Sequence, residues 1–539
     1  MTNQQPIYIL PESAIRTKGR EAHRNNIAAA KLVAETVRTT LGPKGMDKML
    51  VDSSGDIIIT NDGVTILEEM QIEHPAAKML VEVAKTQENE VGDGTTTAVV
   101  LAGELLKNAE DLIDKEVHPT VIVKGYRIAS EIAQKVLNTM AEDINKDDTD
   151  TLEKIAITAM TGKGAEASKE KLAKMAVHAI LKIIEIKEKI IIDLDNIKLE
   201  KKIGGGTEDS ELVEGIILDK ERVHSSMPRL IKDAKILLLD SALELKGPET
   251  DTKISITTPD QLQAFLDNEE KTIRDMVEKI VYSGANVVLC QKGIDDVAQH
   301  FLAKRGIYTL RRINDSDMTK LAKATGARIV SNLDDLSKED LGYSGLVEAQ
   351  KMGDEEWTFI RNCKNPKAVT FLVRGGTRHV VDEAERAIKD ALGDIASALK
   401  QGKVVAGAGA TETEVARNLR KFSTTLSGRE QLAVLAFADA MEVIPRTLAE
   451  NAGLDPIDIL TALKQKHDEG KKWAGIDVYT GKVVDAWKMG VIEPLKIKVQ
   501  AVKSATEVAN MILRIDDIIA SGKDARPMGM PHGMNPDMM

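Results

Sequence analysis

Gly92-Asp93-Gly94-Thr95-Thr96-Thr97 runs directly into an apolar helical pattern at Ala98, Leu101, Ala102 and Leu105. These residue types suit phosphate chemistry. Two glycines let the backbone approach a ligand, a helix start offers unpaired N–H groups, three hydroxyls add donors, and one carboxylate can hold a cation. Alone, the segment also reads as an ordinary helix cap. A second glycine-bearing turn, Thr39-Thr40-Leu41-Gly42-Pro43-Lys44-Gly45, follows another helical pattern and reads either as a phosphate loop or as a helix stop. Together the two turns describe a site for Mg-nucleotide. The Gly-x4-Gly-Lys-Ser/Thr pattern occurs nowhere in the 539 residues, so the site is not a P-loop.

Hydrolysis needs a carboxylate to position or deprotonate water and a cation to neutralise developing charge. Asp62, Asp93 and Asp390 are candidates. Asp62, in Asn61-Asp62-Gly63, is by spacing alone more often a turn former. Asp390 shares a charged helix side with Asp382, Glu383, Glu385 and Lys389, which spacing alone reads as a solvated face. Val404-Val405-Ala406-Gly407-Ala408-Gly409-Ala410 is a flexible linker or a surface for a nucleotide. Thr161-Gly162-Lys163-Gly164 is a hinge or a lysine loop reaching a phosphate. The nine histidines lack metal-ligand spacing.

The elements that must position these groups change along the chain. Ile27 to Leu41 has one apolar helical face ended by Gly42 and Pro43, and Met49–Val51 with Ile57–Thr60 read as a hairpin. Helical patterns continue to about Ala141, and the polar stretch Asn145–Asp150 marks a boundary. Ile190–Ile192, Ile216–Leu218, Ile236–Leu239, Val287–Leu289 and Ile307–Leu310 are short strand-like runs, several alternating with helical patterns, as in an α/β domain. Thr258, Pro259 and Gln261 mark a helix start. Before it, Ser241–Thr257 reads as a surface loop or a mobile protrusion. Long helices return after Val369–Val373, and Gly522–Met539 reads as a disordered tail.

Composition narrows the function. Aromatics are 3% of the chain and the net charge is −12, so cores are built from small aliphatic side chains and a nucleic-acid backbone is an unsuitable partner. Two cysteines, Cys290 and Cys363, suit a reducing cytosol. No signal-like start and no apolar run of about eighteen residues is present, so the chain reads as neither exported nor membrane-spanning.

Four segments then carry a resemblance: Thr40–Lys48 (TLGPKGMDK), Thr60–Ile66 (TNDGVTI), Gly92–Thr97 (GDGTTT) and Glu442–Asn451 (EVIPRTLAEN). In this order they resemble the signatures of the group II chaperonins, the thermosome family, over essentially the whole chain. The resemblance implies a multidomain α+β fold. A mainly α-helical equatorial domain would take residues 1–148 and 404–539, a small α/β intermediate domain 149–217 and 370–403, and an α/β apical domain with a helical lid protrusion 218–369. It also implies roles. Leu41, Gly42 and Pro43 would line the phosphates of ATP, Asp93 would hold Mg²⁺, and Gly94, Thr95, Thr96 and Thr97 would bind phosphate oxygens. Asp390 would orient the attacking water with Asp62 assisting, and Lys163 would sense the terminal phosphate. Gly409, Asp477, Val478 and Glu493 would contact the nucleoside. Ala408 departs from a loop that is often three glycines.

The implied function is an ATP-dependent cytoplasmic chaperone that encloses unfolded polypeptides. Its subunits would form two stacked rings, expected to be eight-fold, closed by a built-in lid without a separate cap protein. The Leu50–Thr60 hairpin would pair with a neighbour's termini. Prefoldin is a candidate partner; nucleic acid and membrane are not. Two rival readings are a phosphotransferase acting on a small acceptor and a ring that only holds unfolded chains.

Overall fold

The computed structural model describes residues 15–51, 54–164, 166–186, 188–245 and 258–520. The expected tail and most of the Ser241–Thr257 protrusion therefore lie outside the described residues. Three groups of buried side chains organise the rest. The largest is helical and joins both ends of the chain. Its central helix, Thr95–Asp114, is buried on nearly every side, because Val99, Val100, Leu101, Ala102, Leu105 and Leu106 leave no polar stripe. Small residues bring its neighbours close: a methyl on Gly103 would come 2.3 Å from Ala34 Cβ on the Arg20–Arg38 helix. In the same core Tyr126 meets Phe437 edge to face at 5.6 Å and donates to the Leu105 carbonyl at 2.7 Å.

A second core packs the helices Thr149–Met160, Lys169–Ile183 and Arg378–Gln401 against a three-stranded sheet. Val369–Gly375 is the middle strand, parallel to Ile197–Ile203 and antiparallel to Glu211–Val213. The third region is a seven-stranded mixed sheet. Leu230–Leu239 is parallel to Val287–Cys290 on one side and antiparallel to Gly342–Met352 on the other. Alternation divides its side chains. Ile236 and Leu238 join one core, while Leu237 and Leu239 face the Pro259–Ser283 helix through Ile273, Val277 and Ile280.

Thr258 caps that helix as its spacing predicts, accepting from Gln261 N–H at 3.3 Å. Other boundaries differ. The first helix runs Arg20–Arg38, so Thr39–Gly45 is already loop. The hairpin strands are Lys48–Val51 and Ile57–Thr60. Leu243, in the described start of the expected protrusion, is buried and bridges to Ile294, so that portion belongs to the sheet region.

Candidate nucleotide site

A cavity of about 390 Å³ opens where the helical core meets the Thr149–Met160 and Arg378–Gln401 helices. Leu41, Gly42 and Pro43 form one wall and Asp93 with Gly94–Thr97 another; Asp62 and Lys163 lie in the wall between, and Gly409, Asp477, Val478 and Glu493 complete it. Residues from widely separated parts of the chain are thus gathered around one space. Asp390 is not on the cavity surface; its carboxylate lies against Lys163.

The Asp93 loop owes its shape to its glycines. Gly92 (φ 88°) and Gly94 (φ 79°) are both left-handed, and a methyl on Gly94 would approach Ile497 Cγ2 to 2.6 Å. Gln87 donates to the carbonyls of Asp93 (2.9 Å) and Ile497 (3.3 Å), pinning the loop to the Leu495–Leu513 helix. No side chain caps the helix that starts at Thr95, so its first N–H groups are left for a ligand. The plain-cap reading of this segment is therefore not what the structure contains.

The other loop is held from a distance. Asn451 donates to the carbonyls of Arg38 (3.1 Å) and Leu41 (2.9 Å), and a methyl on Gly42 would meet Leu448 Cδ2 at 2.3 Å. Both partners come from the Glu442–Asn451 motif, so this motif supports the cavity wall. Gly162 packs against the same loop, with room for no Cβ beside Pro43 Cα at 2.9 Å, while Asn61 donates to the Gly162 carbonyl at 2.8 Å. The lysine that follows is thereby aimed inward.

Lys163 is the electrostatic centre. Its ammonium hydrogen-bonds Asp390 and lies 3.9 Å from Asp93. Burial opposes its charge, but the carboxylates of Asp390 and Asp93 outweigh burial and hold the pKa above the usual lysine range. Burial pushes Asp390 up to about 7, against the pull of Lys163, with Asp93 and Asp62 adding to the rise. Glu88 is pushed to about 8 by burial and then by Asp390, Asp62 and Asp93. The solvated-face reading of Asp390 is overturned: its side chain is 13% exposed, although Asp382 on that helix, 31% exposed, does pair with the half-exposed Lys201. Spacing could not separate them, because the partner is 227 residues away.

Asp62 is a helix cap that also lines the cavity. Oδ2 caps the Gly63–Glu69 helix, accepting from Thr65 N–H (2.9 Å) and Thr65 Oγ1 (2.6 Å), while Oδ1 accepts from Thr95 Oγ1 at 3.4 Å within the cavity wall. At the other end Asp477 accepts from Tyr479 N–H (3.0 Å) and Thr480 Oγ1 (2.6 Å), and the Thr480 bond lowers its pKa. Ala408 holds a left-handed φ of 55°, strained for a residue with a Cβ, and its carbonyl accepts from Ile476 N–H at 2.9 Å. The half-buried Glu493 meets the buried Lys498 at 2.6 Å, and Lys498 also reaches Glu412 at 2.9 Å. Glu88, Asp394 and Lys498 were not picked out by sequence reasoning, and Asn451 entered only as the end of the Glu442–Asn451 signature, without a role. Asp394 lies one helical turn beyond Asp390, but that spacing does not distinguish it from the other charged residues of the helix.

A chain that joins a helical core, a small α/β core and a mixed-sheet region around such a cavity has the construction of a chaperonin. The chain belongs to the TCP-1/cpn60 chaperonin family, whose model matches residues 33–523. It is 63% identical over 516 residues to a thermosome subunit of Methanopyrus kandleri, covering 96% of this chain and 95% of the relative. With the thermosome subunit beta of Archaeoglobus fulgidus it shares 61% over 536 residues, covering 99% and 98%. A solved structure, the open state monomer of a group II chaperonin from Methanococcoides burtonii, is 49% identical with a TM-score of 0.58, covering 79% of this chain and all of the other. The fold is accordingly that of the group II chaperonins, multidomain α+β, and the activity is that of an ATP-hydrolysing chaperone coupled to protein folding. The phosphotransferase alternative is not favoured.

Proposed function

We propose that the cavity binds ATP with Mg²⁺ and that hydrolysis there drives a closing chamber for unfolded polypeptides. Leu41, Gly42 and Pro43 face the phosphates, Gly94–Thr97 donate to phosphate oxygens, and Gly409, Asp477, Val478 and Glu493 flank the nucleoside. Asp93 is the cation ligand. Among the described residues no group of three His, Cys, Asp or Glu side chains forms a ready-made metal cage. This suits Mg²⁺, which is commonly held by one or two carboxylates together with substrate phosphates. Bound there, the ion neutralises charge on the transferred phosphoryl group.

Lys163 and Asp390 supply the remaining step. A terminal phosphate draws the Lys163 ammonium away from Asp390, and the freed carboxylate, assisted by Asp62, orients the attacking water. The observation that carries this reading is the Lys163 ammonium itself, which bridges Asp390 to Asp93 at the cavity wall. Calorimetric titration tests it. ATP is expected to bind more tightly than ADP, and Lys163→Ala to remove most of that preference. Equal preference in both proteins would reject Lys163 as the phosphate sensor.

The buried cores support an equatorial domain near residues 1–148 and 404–539, an intermediate domain near 149–217 and 370–403, and an apical domain near 218–369, with the whole strand Ile216–Leu218 falling on the apical side. The first turns of the helix Pro259–Ser283, exposed over residues 259–268, support a built-in lid, so no separate cap is required. Two small sheets support the ring. Lys48–Val51 pairs only with Ile57–Thr60 among the described strands, exposing Met49, Val51 and Ile57, and Ile15–Lys18 pairs with Asp517–Ala520. Joining these edges between neighbours satisfies both. Two stacked rings of eight subunits, cytoplasmic and supplied with clients by prefoldin, complete the reading. No described helix is long and apolar enough to cross a membrane. Sedimentation measures the particle mass, and a monomer would reject the chamber.

A further inference from the structure

Asp394 is 2% exposed, lines the nucleotide cavity, and its Oδ1 has no hydrogen-bond partner. A buried carboxyl in this condition is destabilising, because desolvation is not offset by a donor. The Arg378–Gln401 helix nevertheless brings it against the Asp93 loop by a close backbone approach. Gly393 and Gly92 face each other in backbone contact: a Cβ built on Gly92 would lie at ordinary contact distance, 3.5 Å, from Gly393 Cα, and one on Gly393 would lie 3.5 Å from the Val91 carbonyl oxygen. Each glycine immediately precedes one of the two aspartates. The ammonium that could neutralise Asp394, Lys163, is already hydrogen-bonded to Asp390, and Lys498 is engaged by Glu412 and Glu493.

We propose that Asp394 is a positioning carboxyl of the divalent-cation site, acting from behind Asp93 to strengthen cation binding in the nucleotide complex. The inference rests on the reading of the cavity given above. Its orphan oxygen is then a functional feature: it lacks a protein donor because its positive partner arrives with the nucleotide. It also accounts for the two facing glycines, which bring the Asp394 helix and the Asp93 loop within backbone contact.

The test uses the full chain, Mn²⁺ as the probe and a non-hydrolysable ATP analogue, with free Mn²⁺ read by electron paramagnetic resonance. Asp394→Asn is expected to weaken Mn²⁺ binding in the nucleotide complex about 10-fold, the size typical of groups that support a metal ligand. The same variant should melt at the same temperature as the parent or higher without nucleotide. Asp394→Glu, which keeps the charge, is expected to recover most of the affinity. Mn²⁺ binding by Asp394→Asn within about twofold of the parent overturns the proposal, as does loss of folding in both variants, which would assign Asp394 to the fold. Asp93→Asn separates the two levels. If it also leaves Mn²⁺ binding unchanged, the cavity reading fails; if it alone weakens binding, only the role of Asp394 fails.

Discussion

Around Glu442, whose side chain is buried, the charges are balanced: Arg420 hydrogen-bonds both Glu442 and Asp439, and Lys464 reaches the other Glu442 oxygen at 2.9 Å. Around Lys163 they are not. Asp62, Glu88, Asp93, Asp390 and Asp394 share the field of that ammonium. The first cluster joins residues about twenty apart in sequence; the second joins far more distant segments and carries raised carboxyl pKa values and an orphan oxygen. A network that serves only the fold matches its charges, since an unpaired buried charge is destabilising. A site awaiting a cationic ligand complex keeps the mismatch.

The contrast can be broken most sharply at Asp390. Asp390→Ala is expected to slow phosphate release by about 100-fold or more, the usual weight of a positioned acid–base group, while nucleotide affinity from calorimetry changes little. Glu442→Gln should do the reverse. Removing the charge leaves Arg420 and Lys464 sharing Asp439 and solvent, costing about 2 kcal/mol of stability, with hydrolysis per folded subunit unchanged. Denaturant melts and phosphate release on the same samples decide it, and a Glu442→Gln protein of full stability but low activity would erase the distinction.

Gly94→Ala lies between the two classes. Its left-handed backbone and the contact with Ile497 predict a loss of about 1–2 kcal/mol together with weaker nucleotide binding, measured by melting and titration. The smallest effect is a pH slope. Glu88 has an ordinary pKa of 4.5 and is raised to about 8 in the fold, so the folded chain binds the extra proton. Its contribution to stability is present below about pH 4.5 and is lost as pH rises through 8. Glu88→Gln is therefore expected to flatten the decline of the nucleotide-free melting midpoint between these values, and an unaltered slope would remove Glu88 from the unbalanced cluster.

Legibility followed the range of the interactions. The Pro259–Ser283 helix was readable because Thr258, Pro259 and Gln261 sit within one turn. The hairpin Gly342–Met352 with Glu355–Arg361 was missed: Glu348, Gln350 and Lys351 break up the first strand, although Trp357–Ile360 in the second is a continuous buried run. In the cavity, the two glycine turns were readable from local chemistry. The resemblance, rather than spacing, singled out Asp390. Asp394 remained hidden, because no local pattern distinguishes an orphan carboxyl from a solvated one.

The amino-acid order determined where helices start, which turns need glycine, and that one segment could meet anionic oxygen without a P-loop lysine. These follow from backbone sterics and N–H groups within a few residues. Tertiary structure decided which carboxylates lose water and which ammonium they share, since Lys163 and Asp390 meet only when the Thr149–Met160 and Arg378–Gln401 helices pack together. Desolvation and Coulomb energy depend on distance in space, and at a separation of 227 residues the chain alone does not define that distance.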